Sequence, residues 1–264
     1  MRILLTNDDG IHAPGIIALH AALRSLGEVL VVAPLTVQSA TGHGITFRQP
    51  LIIKEVDVTE SMSGFAVDGR PADCVKLGVA ELWPQKFGKG SRPDLVISGM
   101  NMGANVGINV LYSGTVAAAL EGAFLGVPSI AVSLHHGQSH PDYNAAAQHA
   151  RVVIDRIMAA GGPKAGECVS INVPVTEGPG KLPPVSLCPM NTHGMIDSFQ
   201  RNTNPLGETY FWSSGTPMEF HETEAGSDVQ CLLAGHVTVT PLTFDLTDRK
   251  AMERWKGKAL GSGQ

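Results

Sequence analysis

The sequence predicts an α/β protein with a mostly parallel sheet covered by helices on both faces. Three observations carry that reading. Short, continuous apolar runs recur through the first two-thirds of the chain, as expected of strands buried on both sides. Segments with helical spacing separate them, so strand and helix alternate. Past a proline- and glycine-rich connection at Pro174 to Pro184, the rhythm changes to strands and loops.

Taken in order, Ile3–Leu5 reads as the first strand. Pro14–Leu26 reads as a helix, with proline near its start and Gly27 near its end. Val29–Ala33, closed by Pro34, is the second strand. Leu51–Ile53 and Phe65–Val67 read as short extended pieces. Ala72–Leu82 has helical spacing, with Val75, Leu77, Val79 and Leu82 apolar. Leu95–Ile97 reads as strand, Thr115–Leu125 as an alanine-rich helix, Ile130–Val132 as strand, Asn144–Met158 as a long helix and Val169–Val173 as strand. Beyond Val185 come Tyr210-Phe211-Trp212, a strand at Val237–Val239, and a short helix between Asp245 and Leu260 capped by Asp245 or Asp248. The expected division is a core over residues 1–185 and an extension over 186–264. Such a tail packs poorly as a separate globule; it wraps its own core or embraces a partner subunit.

The 264 residues, 43% hydrophobic and 16% charged, suit a globular protein with a substantial core. A net charge of −5 argues against a broad electrostatic footprint for nucleic-acid duplexes or anionic membranes. No apolar stretch approaches the roughly 20 residues that span a bilayer. Met1-Arg2 leads straight into a strand without a signal-peptide pattern, and Cys74, Cys168, Cys188 and Cys231 form no CxxC pair. The expectation is a cytoplasmic protein with reduced, mostly structural thiols.

The chemistry concentrates at the ends of strands. Asn7-Asp8-Asp9-Gly10 follows the first apolar run, where open α/β sheets bind ligands. Two adjacent carboxylates repel one another and are tolerable when a hard divalent cation neutralises them; an ordinary solvated turn is the bland alternative. Ser98 to Gly107 carries a regular series of Asn and Gly after a strand, neither a dinucleotide GxGxxG nor a P-loop. Glycine lets backbone approach a ligand, and Asn offers a carbonyl oxygen to a metal or an amide to an anion. Ser113-Gly114-Thr115 opens a helix, so it is either a plain cap or an anion site. Ser39, in Gln38 to Gly44, could complete an oxygen site. His12 and His43 lie near it in sequence, although lone histidines are more often structural. His135, His136 and His140 match no firm metal spacing and read as a surface loop. Asp73 is most simply a first-turn charge of a helix, and Arg70 carries low weight as a phosphate contact.

Together these blocks resemble the SurE survival-protein family of metal-dependent nucleoside monophosphate phosphatases. The resemblance is dense over the N-terminal half: Thr6 to Gly10, Ala13 to Gly15, Val32 to Pro34, Ser39, Gly69 to Cys74, Ser98 to Gly107 and Tyr112 to Ala119. It thins to Ile171 to Pro174 and Thr240 to Leu242. Thr6 and Arg70 depart from the family pattern without touching a ligand position. The resemblance implies a Rossmann-like core, a swapped C-terminal hairpin and helix arm, and homodimers or homotetramers. It implies one Mg²⁺ or Mn²⁺ per subunit on Asp8, Asp9, Ser39 and Asn101. It also implies activity on 5′- and 3′-nucleotides and sometimes on polyphosphate.

On this reading the reaction is phosphomonoester hydrolysis by direct attack of water. Asp8, with Asp9 beside it, steers or deprotonates the water, while Asn105, Ser113, Gly114 and Thr115 hold phosphate oxygens. A phospho-acceptor receiver module also pairs acidic residues after its first strand, but needs a third aspartate and a distal lysine that are not found as such a pair. A dinucleotide-dependent oxidoreductase is weakened by the missing GxGxxG. No aromatic clamp for a base is identifiable from the sequence.

Overall fold

The computed structural model of the chain describes residues 1–137, 140–215, 218–256 and 258. Strand β1 (Arg2–Thr6) leads through helix α1 (Pro14–Leu23) to β2 (Glu28–Pro34). A hairpin of β3 (Ile52–Thr59) and β4 (Met62–Asp68) follows. Helix α2 (Pro71–Leu77) passes through a wide π-type turn at Gly78–Leu82 into α3 (Trp83–Phe87). Then come β5 (Leu95–Met102), a 3₁₀ turn at Gly107–Leu111, α4 (Gly114–Phe124), β6 (Ser129–Leu134), α5 (Tyr143–Ala159) and β7 (Cys168–Val173). The last part holds β8 (Val185–Leu187), β9 (Phe199–Thr203), β10 (Thr209–Ser213), α6 (Asp228–Leu233), β11 (Val237–Leu242) and α7 (Arg249–Trp255).

Nine strands form one sheet in the order β3-β4-β2-β1-β5-β6-β7-β11-β8, and β9 pairs with β10 apart from it. The six strands from β4 to β7 run parallel. The antiparallel pairings, β3 on β4 and β11 on β7, lie towards its two edges. Alternate residues of the central strands point to opposite faces. Ile3, Leu5, Val31, Ile97 and Ile130 pack with Ile16, Leu19, Val153 and Ile154 of α1 and α5. Leu4, Leu30, Val32 and Val96 pack the other way with Cys74, Val75, Trp83 and Ala118 of α2, α3 and α4. Each such side chain taken from water contributes about 1.5–3 kcal/mol, so the two-sided burial dominates the stability of the sheet.

Local chemistry explains most of the boundaries. Pro14 occupies the first turn of α1, where its missing N–H costs nothing. Asp142 caps α5 by accepting from Ala145 N at 2.9 Å. Asp248, the second of the two expected caps, accepts from Ala251 N at 2.9 Å, while Asp245 pairs with the Arg249 guanidinium. The expected helix over Ala72–Leu82 forms, and its hydrogen bonding widens to a π-type turn from Gly78 while the backbone stays helical. A Cβ there would lie 3.1 Å from both Leu4 methyls, so helix and sheet meet closely at that turn. Strand β5 continues past Ile97 to Met102, carrying Asn101 in register with Ser133 of β6. The first part of the Asn/Gly stretch is therefore strand rather than loop.

The expected extension divides in two. Its return strand β11 joins the main sheet beside β7, so part of it belongs to the core. The hairpin β9–β10 stands outside, with Phe199, Phe211 and Trp212 exposed. All four cysteines are unpaired: Cys74, Cys168 and Cys188 are buried and Cys231 is half-buried. Among the described residues no helix is long and apolar enough to cross a membrane.

Candidate metal and phosphate site

From β1 the chain moves outward on one side to β2 and β4, and later returns to β1's other side with β5. The strand order reverses between β1 and β5, and crevices at such points bind ligands in open α/β sheets. Asp8 and Asp9 follow β1, and Asn101 lies at the end of β5. Asn7 shapes the first turn, its Nδ2 donating to Gly10 O at 2.8 Å. Asp9 joins the two strand ends by accepting from Met102 N at 3.0 Å.

Helix α4 closes the crevice with its N-terminus. Ser113 caps it, Oγ accepting from Val116 N at 3.1 Å. A Cβ on Gly114 would sit 2.9 Å from Asp8 Cβ and 3.0 Å from Asp8 Oδ2. Only glycine lets the helix start come so near the carboxylate. Thr115 is fully buried and its hydroxyl donates to Asp8 Oδ1. A cavity of about 490 Å³ opens in front of these groups, with Asp8, Ser39, Asn101, Asn105 and Ser113 in its wall. Asp9, Gly114 and Thr115 stand outside that wall. Asn105 is braced from behind: its N–H donates to Asn172 Oδ1 at 2.7 Å and its Nδ2 to Ser133 Oγ at 2.8 Å. Asn101 Nδ2 donates to Gly103 O at 2.7 Å, which fixes the plane of its amide.

Ser39 comes from the long connection between β2 and β3, which has no regular structure to hold it. The connection is tied instead by named bonds. Gln38 N donates to Asp8 O at 2.8 Å, and Gly42 N to Tyr112 O at 3.1 Å. Thr46 donates twice to Asp73, at 2.9 and 2.6 Å, so Asp73 anchors this loop as well as opening α2. His43 Nε2 lies 2.8 Å from Glu121 Oε2 of α4, and its ring stacks on Phe124. Glu121 also accepts from Lys76 at 3.2 Å. Burial works to raise the Glu121 carboxyl, but the bonds from His43 and Lys76 outweigh it and hold the group below its ordinary range.

The electrostatics favour a bound cation. Burial, with the Asp9 charge adding to it, pushes the Asp8 carboxyl up to about 6 despite the opposing Thr115 bond. Burial raises Asp9 as well. Among the described residues no Lys, Arg or His forms an ion pair with either aspartate. Nor does any group of three or more His, Cys, Asp or Glu side chains gather there to hold a metal. The donor set is thus two uncompensated carboxylates with the neutral oxygens of Ser39 and Asn101 nearby, which fits a hard divalent ion that keeps some water ligands.

A model of the family described as "Survival protein SurE" matches residues 3–195. The chain belongs to the SurE family. A relative from Pelotomaculum thermopropionicum, named 5'-nucleotidase SurE, is 44% identical over 97% of this chain and 94% of its own length. One from Thermus thermophilus, named 5'-nucleotidase SurE 1, is 44% identical over 99% of both. The crystal structure of the SurE protein from Aquifex aeolicus superposes with a TM-score of 0.81 at 35% identity, covering 97% of this chain and 98% of the other. Family membership thus extends through the C-terminal part, where motif matches in the sequence are sparse.

Two features of the SurE crevice escape sequence reading. Thr115 turns to Asp8, rather than standing in the cavity wall as a phosphate contact. Tyr112, Met102, Met218, His135 and His136 line the cavity, although the histidines read as surface loop. The signal for Tyr112 was its place directly before the helix cap.

Proposed function

We propose that this chain is a divalent-metal-dependent 5′-nucleotidase, hydrolysing nucleoside monophosphates to nucleoside and phosphate. The observation that carries the reading is the uncompensated Asp8–Asp9 pair at the sheet's switch point, with the N-terminus of α4 packed against Asp8 and an open cavity in front of both Asp8 and Ser113. The names of the curated relatives agree with it. Asp8, Asp9, Ser39 and Asn101 would hold one Mg²⁺ or Mn²⁺ per subunit. When bound, the ion polarises a phosphate oxygen and acidifies a water molecule.

The chain's own residues supply the remainder. Thr115 holds the Asp8 carboxylate in one orientation, from which Asp8 steers the attacking water and accepts its proton. Asp9 keeps the β1 and β5 ends together. Ser113 and Gly114 offer the phosphate the positive end of α4, and Asn105 offers it a braced carboxamide. Recognition centred on phosphate also admits 3′-nucleotides and the ends of polyphosphate. Four unpaired thiols suit a cytoplasmic location. The exposed aromatic hairpin with the terminal helix serves as the arm of a homodimer or homotetramer.

Phosphate release from AMP, GMP, 3′-AMP and polyphosphate, each with Mg²⁺, Mn²⁺ or a chelator, tests the reading. Release from the 5′-nucleotides with metal and none with chelator is the expected result. Turnover that survives exhaustive chelation overturns the metal, and no release from any nucleotide overturns the activity.

A further inference from the structure

The cavity before Asp8 is larger than a phosphate needs, and its wall is not uniformly polar. Beside the oxygen-bearing groups it presents Met102, Met218 and Tyr112. Among the described residues Tyr112 is the one Phe, Tyr or Trp in that wall. It directly precedes Ser113, the cap of the helix whose N-terminus faces the phosphate position, so its side chain is rooted beside what lies beyond the phosphate: sugar and base.

Its backbone is held from both sides, Tyr112 N donating to Asn109 O at 3.0 Å and Tyr112 O accepting from Gly42 N at 3.1 Å. Its side chain is not consumed by packing. The residue is 54% exposed, and no described aromatic ring stacks on it and no cation sits over it. An open phenol ring on a tethered backbone, lining the same cavity as two thioethers, offers an apolar, π-faced surface, which suits a flat heterocycle better than a hydrated sugar or a second phosphate.

We infer that Tyr112 is the platform on which the nucleobase of the substrate stacks, with Met102 and Met218 beside it. The inference rests on the nucleotidase reading and deepens it. Stacking on a single aromatic face is tolerant of base identity, since every base has a π-face. Adenine and guanine therefore gain alike, and the site selects for the presence of a base rather than its kind.

The test compares AMP with ribose 5-phosphate, the same ester without its base, in the metal-loaded full-length protein and in Tyr112→Phe, Tyr112→Leu and Tyr112→Ala. The ratio of kcat/KM for AMP over ribose 5-phosphate is expected to fall about tenfold in the Leu and Ala variants, mainly through KM. Tyr112→Phe keeps the ratio. Calorimetric titration of adenosine into the metal-free protein should show the same ranking of affinities. Equal losses for both substrates, or an unchanged ratio in the Leu variant with its unfolding transition intact, overturn the platform while leaving the nucleotidase reading in place. A wild-type protein that releases phosphate from neither ester overturns that reading, and this subsite with it.

Discussion

The central strands and the β9–β10 hairpin come from one chain yet treat their apolar residues in opposite ways. Leu4, Ile97, Ile130 and Ile171 have no solvent exposure, whereas Phe211 is 61% and Trp212 65% exposed. The parallel sheet needs nothing outside itself, because α1 and α5 cover one face and α2 to α4 the other. A two-stranded hairpin has no second layer, and alone in water it is marginal at best. Large aromatic side chains on such an element are spent only when another surface covers them. The groups proposed to carry the chemistry stand on the self-sufficient region, so the proposed chemistry and the proposed assembly should be separable in this chain to a first approximation.

The strongest way to probe the first region is Asp8→Asn. Phosphate release should fall about a thousandfold, the order of effect that follows loss of a preorganised electrostatic group. The fold should survive, and without metal it should gain. In the folded, metal-free chain the Asp8 carboxyl sits at about 6, above its ordinary 3.8. A raised carboxyl gives its full stability below 3.8 and loses it as pH rises through 6, a change of about 3 kcal/mol at most. Melting of the metal-free wild type should therefore drop between pH 4 and 7, and Asp8→Asn should flatten part of that drop. A variant that unfolds instead would show that the core leans on this carboxylate for structure.

The second region is probed by Phe211→Glu with Trp212→Glu. The expected outcome is a shift from oligomer to smaller species in light scattering, by at least a hundredfold in the association constant, with the core's circular dichroism unchanged. An assembly untouched by both charges would place the interface elsewhere and remove the contrast. The smallest effect belongs to Glu121→Gln, which weakens the ties to His43 and Lys76 without changing size. Through the Ser39 loop it should weaken Mn²⁺ binding about tenfold, readable by titration without substrate, as is usual for groups that orient metal ligands. Unaltered binding would mean that Gln38, Gly42 and Thr46 suffice to hold the loop.

How much could be read beforehand follows the same divide. Runs such as Ile3–Leu5 and Ile130–Val132 are legible because burial on both faces leaves a continuous apolar signature. Strand β3 is legible only at its start, since Lys54, Glu55 and Asp57 are exposed and charged and give the run the composition of a surface. The π-type widening at Gly78–Leu82 leaves no mark in the sequence, because apolar spacing continues through it, and the close approach of Gly78 to Leu4 is a contact far apart in sequence. At the crevice, Asp8, Asn101 and Asn105 stand out because paired carboxylates and an Asn/Gly run are odd in any core, whereas Ser39 reads alone as a loop residue and enters the set only through the family resemblance. The attachment of Thr115 to Asp8 spans 107 residues, and no local pattern encodes it. The hairpin's aromatics were visible, but their exposure is a property of the fold.

The four thiols turn this division into something practical. Burial pushes Cys168 up to about 12 and Cys188 up to about 11, and raises Cys74 well above the ordinary range. Thiolate is the reactive form, so alkylating reagents pass these three by in the native state. Cys231, on α6, is the half-buried exception. A maleimide dye would enter there, between hairpin and return strand, and report on the C-terminal segment in an otherwise unaltered enzyme.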